Sequence, residues 1–515
     1  MQEIIRIART MKESSMTDAT GYDPYALPND AIQEPPVTLW AALRKIGPGI
    51  ILAGTIVGSG ELLLTTSFGA NYGFVFLWLI LYSCVIKVFV QTELGRYAIS
   101  SGKPTLGAIN ELGGPKFGAN WILWWWFIMM LTTIFQLGAM TGTVGQALNL
   151  AFPQFSVFLT SSLQSIWPNL ASVVHEHPEH PWAVLTCLTA IGLLWSGNYR
   201  RIEIITTILV VGITISTVTA TLLLPWTPYP IPWGEVVSGM AIQLPHLDEG
   251  NKAIAAAFAV FGITGVGAAE LFYYPYWCLE KGYARCVGPC DASADWERRA
   301  KGWIRVMYLD AWVSMVVFTV STVAFYFMGA AVLHPQGLHP EGVSMIETLS
   351  RMFVDTFGGW TKIVFLVGAG AVLFKTLYLS AAGNGRLVAD FLSLSGATRY
   401  SAAVERSRVI HYLSLSIPVI ALVLFLTFKE PKWMVVVGGF GQALTLPIIT
   451  AATIYFRYRK LDRRLTPNVI IDILLWIAFV SITVVAMYAL YNQLEKNVWP
   501  LIDGLFKSPS VQPTP

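Results

Sequence analysis

Two carboxylates stand inside long apolar runs, where an ionised side chain is costly and usually marks a functional site. Glu61 lies in Thr55-Ile56-Val57-Gly58-Ser59-Gly60-Glu61-Leu62 and Glu270 in Thr264-Gly265-Val266-Gly267-Ala268-Ala269-Glu270-Leu271. Both stretches read T-x-V-G-x-x-E-L. Glycines without a Cβ let a helix unwind, and unwinding frees backbone groups that hydrocarbon does not tolerate unless they line a site. Each half-helix that restarts beyond the break carries partial positive charge at its N-terminus, which offsets part of the cost of Glu61 or Glu270. Close helix packing alone would account for the glycines, but not for an ionisable residue after each pair. The residues predicted to bind a metal or substrate are therefore Glu61, Glu270, Gly58, Ser59, Gly60, Gly267 and Ala268. Two carboxylates can balance one divalent cation.

The elements that hold these residues follow from composition. Of the 515 residues 54% are hydrophobic and only 13% charged, against roughly 25% charged in soluble domains. A formal net charge of +3 is too slight to suggest a nucleic-acid partner. About eleven windows are long and apolar enough to cross a bilayer, near 40–71, 73–96, 119–150, 182–197, 202–225, 253–280, 303–333, 360–392, 408–428, 433–457 and 468–493. Their continuous apolarity excludes a barrel. The two motifs sit in the first and sixth windows, an odd number of crossings apart, so the second copy is inverted relative to the first. The expected fold is an all-α membrane protein of about 11 transmembrane helices. Spans 1–5 and 6–10 form an inverted repeat with broken first and sixth helices, and one helix is added. The corresponding division is a disordered cytoplasmic tail at 1–37, a first repeat at 38–225, a second at 226–460, and the eleventh span with a short outside tail at 461–515.

Lys and Arg set the expected orientation. They crowd the loops on the N-terminal side, as in Arg298, Arg299, Lys301 and Arg305 or Arg457, Arg459, Lys460, Arg463 and Arg464. The opposite loops hold few, among them Lys252, Arg351 and Lys362. Cytoplasmic loops carry such an excess, so the N-terminus is expected inside and the C-terminus outside. The first 37 residues lack an apolar h-region, and the expected location is a multi-pass protein of a bacterial inner membrane.

Other intramembrane groups invite a role. Lys375, halfway along the eighth window, and its neighbour Thr376 are candidates for coupling or charge compensation, since a buried ammonium is costly unless paired. Lys87 in the second window has Glu93 within reach along the chain. Tyr273, among the rings that follow the sixth-span break, is a candidate gate or cavity wall, although core packing accounts for such rings equally well. The stretch His175-Glu176-His177-Pro178-Glu179-His180 lacks regular ligand spacing and is read as a solvated outside loop. Neither a Ser, His or Cys constellation nor a nucleotide-binding Gly-rich loop occurs in the cytoplasmic loops, so no enzyme is expected.

The segment Gly47-Pro48-Gly49 through Gly69-Ala70-Asn71-Tyr72-Gly73, followed by Leu77-Trp78, and Ser101-Gly102-Lys103 after the second window resemble the Nramp divalent-metal transporters. That family belongs to the larger superfamily with the leucine-transporter-like five-plus-five inverted repeat. The resemblance covers roughly residues 45–460 and implies a secondary transporter. Its metal-site Asp-Pro-Gly-Asn falls on Gly58-Ser59-Gly60-Glu61 and its Met-Pro-His on Ala268-Ala269-Glu270. The acids that relay protons in the third span fall on Gln136 and Ala139, and the tenth-span Gln falls near Gly439, with Gln442 about one turn away. Gln136 and Gln442 are accordingly candidates for gating or cavity lining, and the usual proton coupling is expected to be lost.

The leading expectation is transport of a hard divalent cation such as magnesium or manganese, which prefers oxygen ligands. The metal is substrate, and no cofactor is expected. The expected partners are the lipid bilayer and the transported cation, divalent or small and organic, with no nucleic acid and no obligate protein partner. The alternative is an amino-acid or amine/polyamine carrier, because Gly58-Ser59-Gly60 and Phe258-Ala259-Val260-Phe261-Gly262 also resemble the amino-acid–polyamine–organocation carriers. A non-transport role is the third.

Overall fold

A computed structural model describes residues 25–58, 60–195, 199–242, 250–340, 345–400, 402–428 and 431–493. Among the described residues the regular structure is helical apart from a short hairpin pairing Lys116–Phe117 with Ala119–Asn120. Seven helices among the described residues are long and apolar enough to cross a membrane. They are Leu77–Ser101, Trp121–Ala151, Ala294–Gln336, Thr361–Leu394, Ala403–Phe428, Trp433–Lys460 and Val469–Tyr488. An eighth span is bent by 42° between Pro48–Ile56 and Gly60–Tyr72. The helices His180–Leu194 and Tyr199–Leu223, with the pair Gly250–Ile263 and Ala268–Glu280, complete the set. The protein is thus an all-α membrane protein of eleven spans in which the first and sixth are broken.

Span one begins later than its apolar window. Leu39–Leu43 forms a separate short helix, capped by the Thr38 side chain, and the span starts at Pro48. The reason lies in span seven, where Asp310 accepts the N–H groups of Gly47 (2.8 Å) and Gly49 (2.6 Å). A carboxylate at a helix N-terminus satisfies orphan donors and complements the dipole.

Span three packs along spans eight and ten, while span seven packs along spans one and two. Rings such as Trp126, Trp277, Trp303 and Tyr274 fill the interior. Large apolar residues on the outer spans, including Leu188, Ile208, Ile215, Val423 and Val480, are exposed, as lipid-facing positions should be. The end bearing the N-terminal segment is tied by ion pairs, among them Arg386–Glu280 (2.6 Å), Arg406–Asp390 (2.7 Å) and Arg457–Asp472 (2.9 Å).

Candidate cation site at two broken helices

Span one opens between Val57 and Gly60. The Val57 N–H still reaches Ala53 O (2.9 Å), and Leu62 N–H reaches Gly58 O (3.0 Å). A wide π-type turn, Gly60–Thr65, follows before regular helix resumes. Gly58 lies against span eight, where an added Cβ would stand 2.1 Å from Thr376 Oγ1. Ser59 lies outside the described residues.

Span six opens between Ile263 and Ala268. Gly265 takes a φ of +72°, the left-handed region that side chains other than glycine's rarely enter. Gly267 is crowded in a different way, because a Cβ there would lie 2.6 Å from Glu270 Oε2 and 2.7 Å from Gln442 Oε1 and would displace both side chains. The hydroxyls of Thr65 and Thr264 meet at 3.3 Å and join the two breaks.

The two carboxylates face different surroundings. Glu61 is almost fully buried. It accepts long hydrogen bonds from Gly58 N (3.4 Å), Gly265 N (3.4 Å) and Thr322 Oγ1 (3.5 Å). Glu61 therefore clasps a backbone donor from each break and one hydroxyl from span seven. Glu270 is partly exposed to a cavity of about 40 Å³, whose wall includes Thr55, Gln136, Met140, Thr376, Ser380 and Gln442. Gln442 accepts the Ala269 N–H (3.5 Å) and donates to Gln136 Oε1 (3.1 Å). Span ten thus caps the restarted half of span six and fixes the Gln136 amide beside the cavity. Thr55, whose hydroxyl donates to Leu52 O (2.8 Å), shares the cavity wall with Glu270.

Lys375 is buried on span eight, and its Nζ makes no hydrogen bond among the described residues. Lys87 is not beside Glu93, which instead accepts from Arg96 Nε (3.0 Å) and the Tyr308 hydroxyl (2.7 Å). Lys87 Nζ donates to the carbonyls of Phe261, Gly262 (3.5 Å) and Thr264 (2.8 Å), and Ser83 Oγ shares two of them. A cation at carbonyls freed by a helix end is favoured by the dipole. The carbonyls before the sixth-span break thus face Lys87 rather than the cavity. Tyr273 is fully buried, with its ring against Gly383, and does not line the cavity.

The model of the Nramp family, described as natural resistance-associated macrophage protein-like, matches residues 49–492. The chain belongs to the Nramp family. No curated protein matches the sequence. Among solved structures, a point mutant of the Eremococcus coleocola manganese transporter superposes with a TM-score of 0.63 at 15% identity, covering 93% of this chain and 92% of that one. Mhp1, a nucleobase-cation-symport-1 family transporter in a closed conformation with bromovinylhydantoin, gives 0.53 at 16% identity, covering 87% and 91%. MhsT in complex with L-phenylalanine gives 0.52 at 16%, covering 89% and 100%. At such identities the likeness is one of fold.

Within this Nramp chain, several contributors escaped sequence reading, among them Asp310, Thr55, Thr322 and Met140. Asp310 is an intramembrane carboxylate, and the rule that singled out Glu61 could have found it. Thr55, Thr322 and Met140 carry no such signal, because threonine and methionine are ordinary inside spans. The sixth-span stretch lacks a thioether, yet span three supplies one to the same cavity wall.

Proposed function

We propose that this Nramp protein is a secondary transporter of a divalent metal cation, bound at the cavity between Glu270, Gln136, Gln442 and Thr55. The observation that carries the reading is a partly exposed carboxylate facing a cavity of about 40 Å³ among amide and hydroxyl oxygens. Such a volume suits an ion with little of its hydration, whereas pockets for organic ligands run from roughly 300 Å³ upward. Family membership and the fold shared with a manganese transporter support the same cargo. Carboxylate and amide oxygens favour a hard ion such as manganese or magnesium. Glu61 belongs to the site as a clasp on both breaks, and Lys375 as its charge compensation. With Gln136 and Ala139 at the relay positions of span three, metal movement is expected to proceed without the family's usual proton coupling.

Calorimetric titration of the purified protein tests this reading. Manganese should bind the intact protein, and Glu270→Gln should weaken it by about tenfold or more, equivalent to at least about 1.4 kcal/mol. Met140→Leu should leave manganese unchanged and weaken cadmium, because a thioether contributes mainly to soft ions. Undiminished manganese affinity in Glu270→Gln would remove the assignment, and stabilisation by amines or amino acids alone would favour the organic-cation alternative.

A further inference from the structure

The stretch between spans three and four is not an open solvated loop. The helix Pro168–Glu176 stops at His177, whose N–H closes on Val173 O (2.9 Å), and the fourth span starts at His180. Between them the backbone is fixed from several sides. His180 N–H donates to His177 O (3.1 Å), Ala183 N–H to Glu179 O (3.0 Å), and Ser156 Oγ to Pro178 O (2.8 Å). Span three comes so close that a Cβ on Gly145 would lie 2.6 Å from the Glu179 carbonyl oxygen.

On this rigid corner three ligand-type side chains converge. Glu179 Oε1 lies 3.5 Å from His177 Nδ1 and 3.8 Å from His180 Nε2. The two imidazoles stack with centroids 4.5 Å apart, and one ligand atom from each of the three residues falls within a common 4.8 Å. None is highly exposed, with side chains 27%, 21% and 13% accessible for His177, Glu179 and His180. The His180 ring also stands edge-on to Phe425 of span nine (5.7 Å).

We propose that His177, Glu179 and His180 form a second metal site, at the end of the bundle opposite the N-terminal segment, that takes a borderline transition ion such as zinc, cobalt or nickel. Metal–nitrogen and metal–oxygen bonds of about 2.0–2.2 Å place neighbouring tetrahedral ligands roughly 3.4 Å apart. The two carboxylate–imidazole spacings, 3.5 and 3.8 Å, are within a few tenths of an ångström of that, and all three ligand atoms fall within 4.8 Å of one another, on a backbone already held by its own bonds. Two imidazoles and a carboxylate leave a coordination position open, as in zinc sites that exchange their ligand. Imidazole selects a different class of ion from the oxygen-lined cavity, so the two sites sort cations rather than duplicate one another.

Titration of the full-length Glu270→Gln protein with cobalt and with zinc separates this site from the transport cavity. One equivalent of cobalt should bind and give the visible absorption of a tetrahedral or five-coordinate centre, and zinc should displace it. In His177→Ala/His180→Ala, made in the same background, the spectrum should vanish and zinc affinity should fall by about tenfold or more. Glu179→Gln, which keeps both rings and nearly the same volume, should weaken zinc and shift the cobalt spectrum. An unchanged spectrum and affinity in Glu179→Gln, or unchanged binding in the histidine variant, would overturn the proposal. Manganese titration of the otherwise native histidine variant reports on the transport cavity alone, so the two readings fail independently.

Discussion

Among single residues, the pair Glu61 and Lys375 shows how an intramembrane charge is kept. Glu61 is held by backbone N–H groups from two breaks and by the Thr322 hydroxyl. Lys375 has no such support, its Nζ making no hydrogen bond among the described residues. Removing one member leaves the other buried without compensation, which costs more than the pair is worth. Lys375→Met and Glu61→Gln should each lower thermal stability in detergent, and the double variant should recover part of the loss. A coupling of about 1–3 kcal/mol is expected from the double-mutant cycle. Strictly additive effects would show that the two charges do not sense one another.

For the elements, what matters is how a broken helix is closed off from hydrocarbon. Span six loses continuity at Gly265–Gly267, and its two open ends are treated in opposite ways. Lys87 and Ser83 cover the carbonyls of the first half, and Gln442 accepts an N–H of the second. Each partner matches the sign of the helix end that it meets. Lys87→Met keeps the length of the side chain and removes its donors, which leaves carbonyls at Phe261 and Thr264 with fewer partners. Melting of the purified variant should show a loss of about 1–3 kcal/mol, the penalty for unsatisfied buried groups. A melt indistinguishable from that of the native protein would mean that water or Ser83 suffices there.

For the whole molecule, spans one, three, six, eight and ten line the cavity, and ion pairs fasten the end that bears the N-terminal segment. That same end carries most Lys and Arg, and by the positive-inside rule it is expected to face the cytoplasm. Cys290, in the connection between spans six and seven, tests the orientation, because it is exposed while Cys84, Cys187 and Cys278 are buried. A membrane-impermeant maleimide should label it in inverted vesicles and in permeabilised cells, but not in intact cells. Labelling in intact cells would reverse the orientation.

The approximate spans, the two breaks and the family are legible along the chain without coordinates. Hydrocarbon demands long uninterrupted apolar runs, and a glutamate that follows paired glycines inside such a run is too costly to be kept without a role. These signals are local, so they survive without coordinates. Which groups face one another emerges only once the helices are packed. Glu61 and Glu270 sit at equivalent positions of one motif, yet one clasps both breaks and the other faces a cavity. The difference arises from Thr322, Gln136, Gln442 and Met140 on spans three, seven and ten, far away along the chain. Lys87 lies near Glu93 in sequence but turns to span six. His177, Glu179 and His180 have irregular spacing and meet because a proline corner folds them together. Side-chain convergence across helices leaves no periodic trace in any one of them, because the period of a helix records which face is buried and not what that face meets.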